Sequence, residues 1–459
     1  MAGIGFELKK IIDKDNIFAQ ARVYFMSSLI TVGPMIICIT LFLVMQRLLK
    51  NLGASYANIQ IFNAVIIYSF LISYISSNGI SMLMSRYISD CIYAKKSGCI
   101  FESFLGVSII CSIISTIIMS LLLINSPLNL IIKSICFMIT IILSLIWLEI
   151  IYLSAIKEYL HIVSFFLIGI SLVILGTILG IEFLNIPPIY SALLFSLAGY
   201  IFIAISFMVL LYKVFGIKDL RLSNCLKFVC SIDKYYELLL IGLFLSFYDV
   251  PSFYAFLSVI PSVVIFTVKI ETAIYPKYKD FYNFVRESGS INEIRRAKKI
   301  LIDTIILHMT HMIKVQFIAS FACIVFGFKI LPNIGFASDS LEIFGILTLG
   351  AISYISMSFL ILMLLYFDAR KDALQVSLVF FITIVLFSII TVIIGQEYYG
   401  YGFFISSLIS VVFAFNRINN FFRIIEYRTF ASQPVFQIDK KGFFSRIYNF
   451  FNKENNKEV

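Results

Sequence analysis

Ionisable side chains are scarce inside the long apolar stretches of this sequence, and each one is a candidate functional group. Glu149 lies in one such stretch, and Lys269 and Glu271 lie near the end of another. A charge inside a membrane span is costly and usually faces a partner or a water-filled path. We therefore predict that Glu149, Lys269 and Glu271 line a substrate path, with Asp249 as a weaker candidate. The alternatives are a buried helix partner or a protonated carboxyl at Glu149, an interfacial anchor at Lys269, and a turn residue at Asp249.

A second group of candidates is a basic cluster, made up of Arg295, Arg296, Lys298 and Lys299. Ser290 and Glu293 precede it with the spacing of a capping box, so we predict that a helix begins there. We interpret the cluster as a docking surface for a partner protein. The alternative is ordinary positive charge beside lipid headgroups.

Other chemistries find little support in the sequence. His308 and His311 share a helix face, but with only 3 histidines in the chain they are too few for a metal site. The pattern G-x-x-x-x-G-K-S/T is absent, so ATP hydrolysis is not expected. The net charge of +10 is spread over short segments between apolar runs, which indicates membrane orientation and not a nucleic-acid surface. We expect no enzyme activity, no metal and no cofactor.

The elements that must position these residues are membrane-spanning helices. Of the 459 residues, 60% are hydrophobic and 14% are charged, too few polar groups to cover a soluble protein. A bilayer crossing takes about 20 apolar residues. Such runs are predicted at 23–46, 61–84, 103–125, 131–155, 161–181, 189–212, 315–331, 343–366, 374–395 and 401–424.

The distribution of positive charge predicts the orientation. Nearly all of the 36 lysines and arginines fall in alternate connections between the apolar runs, as in cytoplasmic loops. Both termini are therefore predicted to be cytoplasmic, and so are both flanks of the apolar stretch 236–275. This stretch either crosses twice or is re-entrant, and its first arm, 236–248, is only ~20 Å long as a helix. We favour the two crossings.

The resulting prediction is an all-α, polytopic membrane protein with about twelve spans in two six-helix bundles. Its predicted segments are an amphipathic cytoplasmic segment at 1–22, an N-terminal bundle at 23–212, a cytoplasmic linker at 213–235, a C-terminal bundle at 236–425 that includes a cytoplasmic segment at 276–314, and a basic cytoplasmic tail at 426–459.

Several short stretches of the chain resemble the PelG family of exopolysaccharide transporters. The most specific is the opening Met1-Ala2-Gly3-Ile4-Gly5-Phe6-Glu7-Leu8. Further matching stretches are Thr31-Val32-Gly33-Pro34, Arg86-Tyr87-Ile88-Ser89-Asp90, Tyr248-Asp249-Val250-Pro251, Lys269-Ile270-Glu271-Thr272, Tyr366-Phe367-Asp368 and Glu426-Tyr427-Arg428-Thr429-Phe430. The resemblance extends from Met1 to about Pro434.

This resemblance implies a fold like that of the multidrug/oligosaccharidyl-lipid/polysaccharide (MOP) flippases, placed in the cytoplasmic membrane. It implies export of the Pel polysaccharide, with a cytoplasmic glycosyltransferase and membrane subunits that include a cyclic-di-GMP receptor as partners. It assigns a catalytic role to no residue of this chain. Family members usually have a longer segment before the element at 248–251.

Two other functions fit the same sequence. The chain resembles proteins whose superfamily includes flippases of lipid-linked oligosaccharides and of small molecules. It is also compatible with a non-conducting membrane scaffold that docks the polysaccharide synthase through the basic segment 276–299 and the tail.

Overall fold

The computed structural model describes residues 33–94, 98–124, 126–156, 159–216, 225, 228–246, 258–286, 289–334 and 338–430. Within these ranges the chain is helical and has no strand. The predicted N-terminal segment 1–22, Asp249 and the tail beyond residue 430 lie outside the described residues. The chain divides into two compact units, with the boundary after Val250.

The first unit is a bundle of helices of which α2 and α4 form the most extensive contact. Its described helices are α1 (Gly33–Asn51), α2 (Tyr56–Tyr93), α3 (Gly98–Leu123), α4 (Leu130–Ile156), α5 (Tyr159–Glu182), α6 (Pro188–Phe215) and α7 (Val229–Ser246).

The second unit is a bundle in which α13 packs against both α11 and α12. Its described elements are α8 (Ile260–Lys269), a π-helical turn (Ile270–Ile274), α9 (Tyr275–Arg286), α10 (Ile291–Ile334), α11 (Ser338–Tyr366), α12 (Arg370–Ile394), a 3-10 turn (Gln396–Tyr398) and α13 (Tyr401–Phe430).

Nine of the described helices, α2 to α6 and α10 to α13, are long and apolar enough to cross a membrane. Each overlaps a predicted span, and the remaining predicted span, 23–46, lies only partly within the described residues. The expectation of an all-helical, multi-span protein is confirmed. Whether 236–275 crosses twice stays a prediction, because residues 247–257 lie outside the described ranges.

Helix α10 is longer than the span predicted within it. Its 44 residues extend over ~66 Å, about twice the ~30 Å hydrocarbon core. The predicted capping box starts it: the Ser290 N–H donates to Glu293 Oε2 over 2.8 Å, and the Glu293 N–H donates to Ser290 Oγ over 3.3 Å. The predicted helix after Ser290 and the predicted span at 315–331 are therefore one helix.

Helix α7 packs along α2 in the first unit, whereas the sequence had grouped residues 236–248 with the second bundle. The helix begins at Val229 and changes direction at Tyr235, where φ is −128° and ψ is 30°. A Cβ atom on Gly242 would lie 2.7 Å from the carbonyl oxygen of Gly79 on α2. In lipid there is no hydrophobic driving force for the association of apolar helices. Close backbone packing of this kind is what stabilises their contact instead.

The contact between α7 and α2 gives a test by substitution. We expect Gly242→Ala to lower the free energy of unfolding by about 1–3 kcal/mol, because the added methyl group overlaps the Gly79 carbonyl. The measurement is thermal unfolding of the purified protein in detergent. Gly345→Ala is the matched control, because its Cβ would meet the Phe328 ring at an ordinary 3.5 Å. Equal melting temperatures for the two variants would contradict the close contact.

Candidate functional site

The predicted path residues fall into both units. Glu149 lies on α4 of the first unit, while Lys269 ends α8 and Glu271 lies in the π-helical turn of the second unit. Asp249 lies outside the described residues. Lys269 and Glu271 thus lie two residues apart in the second unit, and Glu149 lies in the first unit.

The place that holds Lys269 and Glu271 is built on the π-helical turn. The turn Ile270–Ile274 joins α8 to α9, and the N–H of Tyr275 donates to the carbonyl of Ile270, five residues earlier. A π-turn adds a residue to the helical repeat and is uncommon, and such turns often occur at functional sites. The unusual backbone geometry therefore occurs at Glu271 and directly after Lys269, the two residues that the sequence predicts to line a path.

Side chains from two other helices face this turn. His308 on α10 lies within electrostatic range of Lys269, and Tyr366 at the end of α11 lies within electrostatic range of Glu271. Both carboxylate oxygens of Glu271 are shielded from solvent. We call Lys269, Glu271, His308 and Tyr366 the π-turn site. It consists of two pairs on neighbouring positions at the turn, Lys269 with His308 and Glu271 with Tyr366, and all four side chains can form hydrogen bonds.

An aromatic layer adjoins the π-turn site. The ring centroid of Tyr278 on α9 lies 4.9 Å from the ring centroid of Tyr366 and 5.5 Å from that of Phe367. Phe367 in turn lies 5.5 Å from Phe421 and 5.7 Å from Phe422 on α13. The contacts of Tyr278 with Tyr366 and of Phe367 with Phe422 are edge-to-face, and such contacts stabilise by about 0.5–1.5 kcal/mol each beyond their burial. The layer ties α9, α11 and α13 to one another beside the site.

Ion pairs adjoin this aromatic layer at Phe421. Arg428 Nη1 on α13 donates to Asp372 Oδ2 on α12 over 2.6 Å, and Arg417 Nη1 lies 4.0 Å from Asp372 Oδ1. The Arg428 guanidinium also lies over the Phe421 ring, 5.2 Å from its centroid. The Asp372 side chain is 12% exposed, so the pair is desolvated on the acid side. Two helices are therefore joined through one carboxylate.

The turn between α11 and α12 carries a second pair. Arg370 donates through Nε to Asp368 Oδ1 over 3.0 Å and through Nη2 to Asp368 Oδ2 over 3.2 Å. Asp368 itself has a φ of 57°, in the left-handed region that aspartate tolerates better than most residues. The bidentate pair holds this turn next to the aromatic layer.

Sequence reasoning named Lys269 and Glu271 but missed their surroundings. His308 had been considered only as a metal ligand, and Asp372 and Arg417 were not considered. Tyr366 and Arg428 do lie in stretches that resemble the PelG family. Nothing in the spacing, however, indicates that Arg428 pairs with a residue 56 positions away.

A second polar cluster in this unit was also missed. Gln316 on α10 is fully buried; its Nε2 donates to the Ser258 carbonyl over 3.3 Å and to Ser320 Oγ over 2.8 Å. Gln316 Oε1 and Ser262 Oγ are buried without a hydrogen-bond partner among the described residues. A lone glutamine in an apolar run was the available signal.

In the first unit, Glu149 is 0% exposed, and neither carboxylate oxygen has a hydrogen-bond partner among the described residues. Two of its neighbours on α4, in contrast, form polar contacts with other helices. Trp147 Nε1 donates to Ser73 Oγ on α2 over 3.2 Å, and the Tyr152 hydroxyl lies 3.1 Å from Ser103 Oγ on α3. Glu149 thus lies in the interior of the bundle, and the polar contacts that its neighbours form do not include it.

The motif at the end of α2 has a structural role. The Tyr235 hydroxyl on α7 donates to Asp90 Oδ2 over 2.6 Å, and Asp90 Oδ1 lies 3.5 Å from Arg86 Nε. The Arg86 guanidinium also lies over the Tyr235 ring, 5.6 Å from its centroid. These contacts hold the start of α7 against α2.

The predicted docking residues differ in their surroundings. Arg295, Arg296 and Lys299 are exposed on α10. Lys298 is mostly buried and its Nζ lies 3.0 Å from Glu426 Oε1 on α13. Lys298 therefore joins two helices of the unit, and three of the four residues present their charge to the outside. Within the described ranges, no group of three or more His, Cys, Asp or Glu residues is arranged to hold a metal ion.

Comparison with known proteins gives one family. The PelG family, described as an exopolysaccharide exporter (EPS-E), matches residues 1–247 and 244–430 of this chain. The chain has no match among the curated proteins.

Solved structures of MATE transporters share the fold. VcmN, a Vibrio cholerae MATE transporter, is similar with a TM-score of 0.56 and 13% identity, over 87% of this chain and 96% of that one. The MATE transporter ClbM has a TM-score of 0.52 and 11% identity, over 88% and 96% of the two chains. An inward-facing multidrug resistance MATE family transporter of the MOP superfamily has a TM-score of 0.50 and 13% identity, over 86% and 99%. Identities this low show the fold alone, and they confirm the expected MOP-type fold.

The ion pair at Asp372 gives a second test. We expect Asp372→Asn to lower the free energy of unfolding by about 2–4 kcal/mol, because Arg428 loses its partner in a partly buried position. Thermal unfolding in detergent measures this. Asp280→Asn removes a solvent-exposed partner of Lys277 and should cost less than about 1 kcal/mol. If both variants melted at the same temperature, Asp372 would not join α12 to α13 energetically.

Proposed function

We propose that this chain, which belongs to the PelG family of exopolysaccharide exporters, exports a Pel-like exopolysaccharide across the cytoplasmic membrane. The observation that carries the proposal is the family match, which covers residues 1–247 and 244–430 and so includes both helical units. The chain is an integral membrane transporter with a MOP-type fold. The identity of the polymer and the cooperation with a cytoplasmic glycosyltransferase are the proposed part.

The chemistry of the π-turn site supports a sugar substrate. Lys269, Glu271, His308 and Tyr366 can form hydrogen bonds with hydroxyl groups. The neighbouring rings of Tyr278 and Phe367 are surfaces on which the C–H faces of sugar rings can pack without directional bonds. We propose that the π-turn site contacts the passing polymer.

The orientation and partners follow from charge. We propose that both termini, α9 and the first turns of α10 lie in the cytoplasm, because this arrangement puts nearly all positive charge on that side. The exposed Arg295, Arg296 and Lys299 are then available to an acidic surface of the glycosyltransferase. Membrane subunits of the synthase, including a cyclic-di-GMP receptor, are further proposed partners through the family resemblance.

A flippase of lipid-linked oligosaccharides or of small molecules is the second candidate function. The MATE-type fold favours it, since a structure with this fold is described as a multidrug resistance transporter. The two candidates differ in whether the substrate is still attached to a synthase. A scaffold without conduction is the third possibility, and it would use the same exposed basic residues for docking.

The export proposal predicts the outcome of a deletion. In a strain that makes the polymer, removal of this chain with the synthase left intact should abolish extracellular polymer, and the wild-type chain should restore it. Quantification of surface polymer with a sugar-specific lectin measures this. Normal surface polymer in the deletion strain would refute export by this chain.

The π-turn site is tested in the same strain. Complementation with Glu271→Gln should lower extracellular polymer by at least about tenfold, the effect of losing ~1.4 kcal/mol of interaction. Asp280→Asn on the exposed face of α9 should export like the wild type. Membrane levels of each variant are compared by immunoblot, so that loss of protein is distinguished from loss of export.

Docking through α10 is tested by co-purification of the glycosyltransferase. The triple variant Arg295→Ala, Arg296→Ala, Lys299→Ala should recover at least about tenfold less partner, because it removes the exposed positive charge near the start of α10. The control removes three exposed positive charges from α9: Lys277→Ala, Lys279→Ala, Arg286→Ala. Undiminished recovery with the α10 variant would show that docking does not depend on this cluster. The same loss with both variants would show that docking depends on the positive charge of the whole segment 276–299 and not on the α10 cluster in particular.

A further inference from the structure

Glu149 is the side chain in the first unit whose burial is hardest to reconcile with a charge. It lies within α4, is 0% exposed, and has no hydrogen-bond partner for either oxygen among the described residues. An isolated carboxylate moved from water into such surroundings costs several kcal/mol or more. A neutral carboxyl group costs about 1–3 kcal/mol. In this conformation Glu149 therefore carries a proton.

The groups around α4 do not offset the cost of a charge. Titratable side chains of the helices packed against it include Tyr74 on α2, Glu102 on α3, His161 on α5 and Tyr200 on α6. Neither oxygen of the Glu149 carboxyl group forms a hydrogen bond with these groups or with any other side chain in the described part of the chain. Burial alone thus decides its protonation state, and water is what could change it.

We propose that Glu149 is a proton-binding site whose occupancy controls the opening of the first helical unit. When α4 separates from its neighbours and water reaches the carboxyl group, the O–H bond breaks and the proton passes to that water. The closed conformation binds the proton and the hydrated conformation releases it. By linkage, a rise in pH must shift the population toward the open conformation.

Such a site offers a means by which a proton gradient drives export. This last step rests on the proposed export function, whereas the proton site itself does not. A protonated Glu149 would hold the bundle closed, and release of the proton on one side of the membrane would bias the direction of the cycle.

Two native thiols report on the opening of this unit. Cys111 on α3 is 0% exposed and Cys136 on α4 is 1% exposed. Cys111 Sγ lies 3.4 Å from the Ser76 carbonyl on α2, and Cys136 Sγ lies 3.5 Å from Ser69 Oγ on the same helix. Alkylation of Cys111 therefore requires α3 to move away from α2. Cys136 also lines a cavity beside Tyr68 and Met119, so Cys111 is the more specific reporter of opening.

The experiment compares alkylation in the wild type and in Glu149→Gln, which mimics the neutral carboxyl group. The purified full chain in lipid nanodiscs is treated with N-ethylmaleimide from about pH 6 to about pH 9, and the peptides with Cys111 and Cys136 are quantified by mass spectrometry. The ratio of wild type to variant at each pH cancels the intrinsic pH dependence of thiol reactivity. We expect this ratio to rise with pH by up to about tenfold per unit, the limit for one coupled proton.

The controls separate the proton site from general effects. Glu182→Gln removes an exposed acid at the end of α5 and should label like the wild type. A ratio that stays at one over the whole pH range, or a variant that labels faster than the wild type, overturns the proposal.

A second measurement uses only the wild-type protein, so it does not depend on whether a variant folds. The infrared spectrum of the wild type should show the carbonyl stretch of a protonated carboxyl group at neutral pH, and its absence overturns the proposal. Neither measurement involves a substrate. A failure of polymer export in cells is therefore distinguishable from a failure of the proton site.

Discussion

The hydrocarbon core of a membrane offers no water, so every backbone N–H and C=O group within it needs a partner in the chain. This constraint explains why the described residues form helices throughout. It also explains why a break in helical geometry is informative. The π-helical turn at Ile270–Ile274 keeps its backbone bonded while it changes the repeat, and it carries Glu271.

The same lack of water makes each buried polar side chain depend on a specific partner. In the second unit, Asp372 is paired with Arg428, and Lys298 with Glu426, so α10 and α12 are both joined to α13. A series of ring contacts through Tyr278 and Phe367 connects Tyr366 of the π-turn site to Phe421, and the Arg428 guanidinium lies over the Phe421 ring. Glu149 in the first unit is the exception: neither of its carboxylate oxygens has a hydrogen-bond partner among the described residues, and a neutral carboxyl group is the form that we propose for it.

These two solutions divide the proposed work between the units. The second unit holds a cluster of mixed charge beside aromatic rings, which suits contact with a hydrophilic polymer. The first unit holds an isolated carboxyl group, which suits the binding of a proton. A transporter needs both a surface that its substrate can contact and a step that is coupled to a source of free energy, and we propose that each unit supplies one of these.

The sequence by itself determined the helical class, nine of the spans and the family, because the length and apolarity of a crossing are local properties of the chain. It also marked Glu149, Lys269 and Glu271, because a charge in an apolar run is visible without a fold. Only the tertiary structure decided which residues surround them, that Lys298 faces Glu426, and that α7 packs on α2. The physical reason is that a membrane helix is apolar on every side, so its sequence pattern does not reveal which face meets which neighbour; close contacts such as Gly242 against Gly79 decide it.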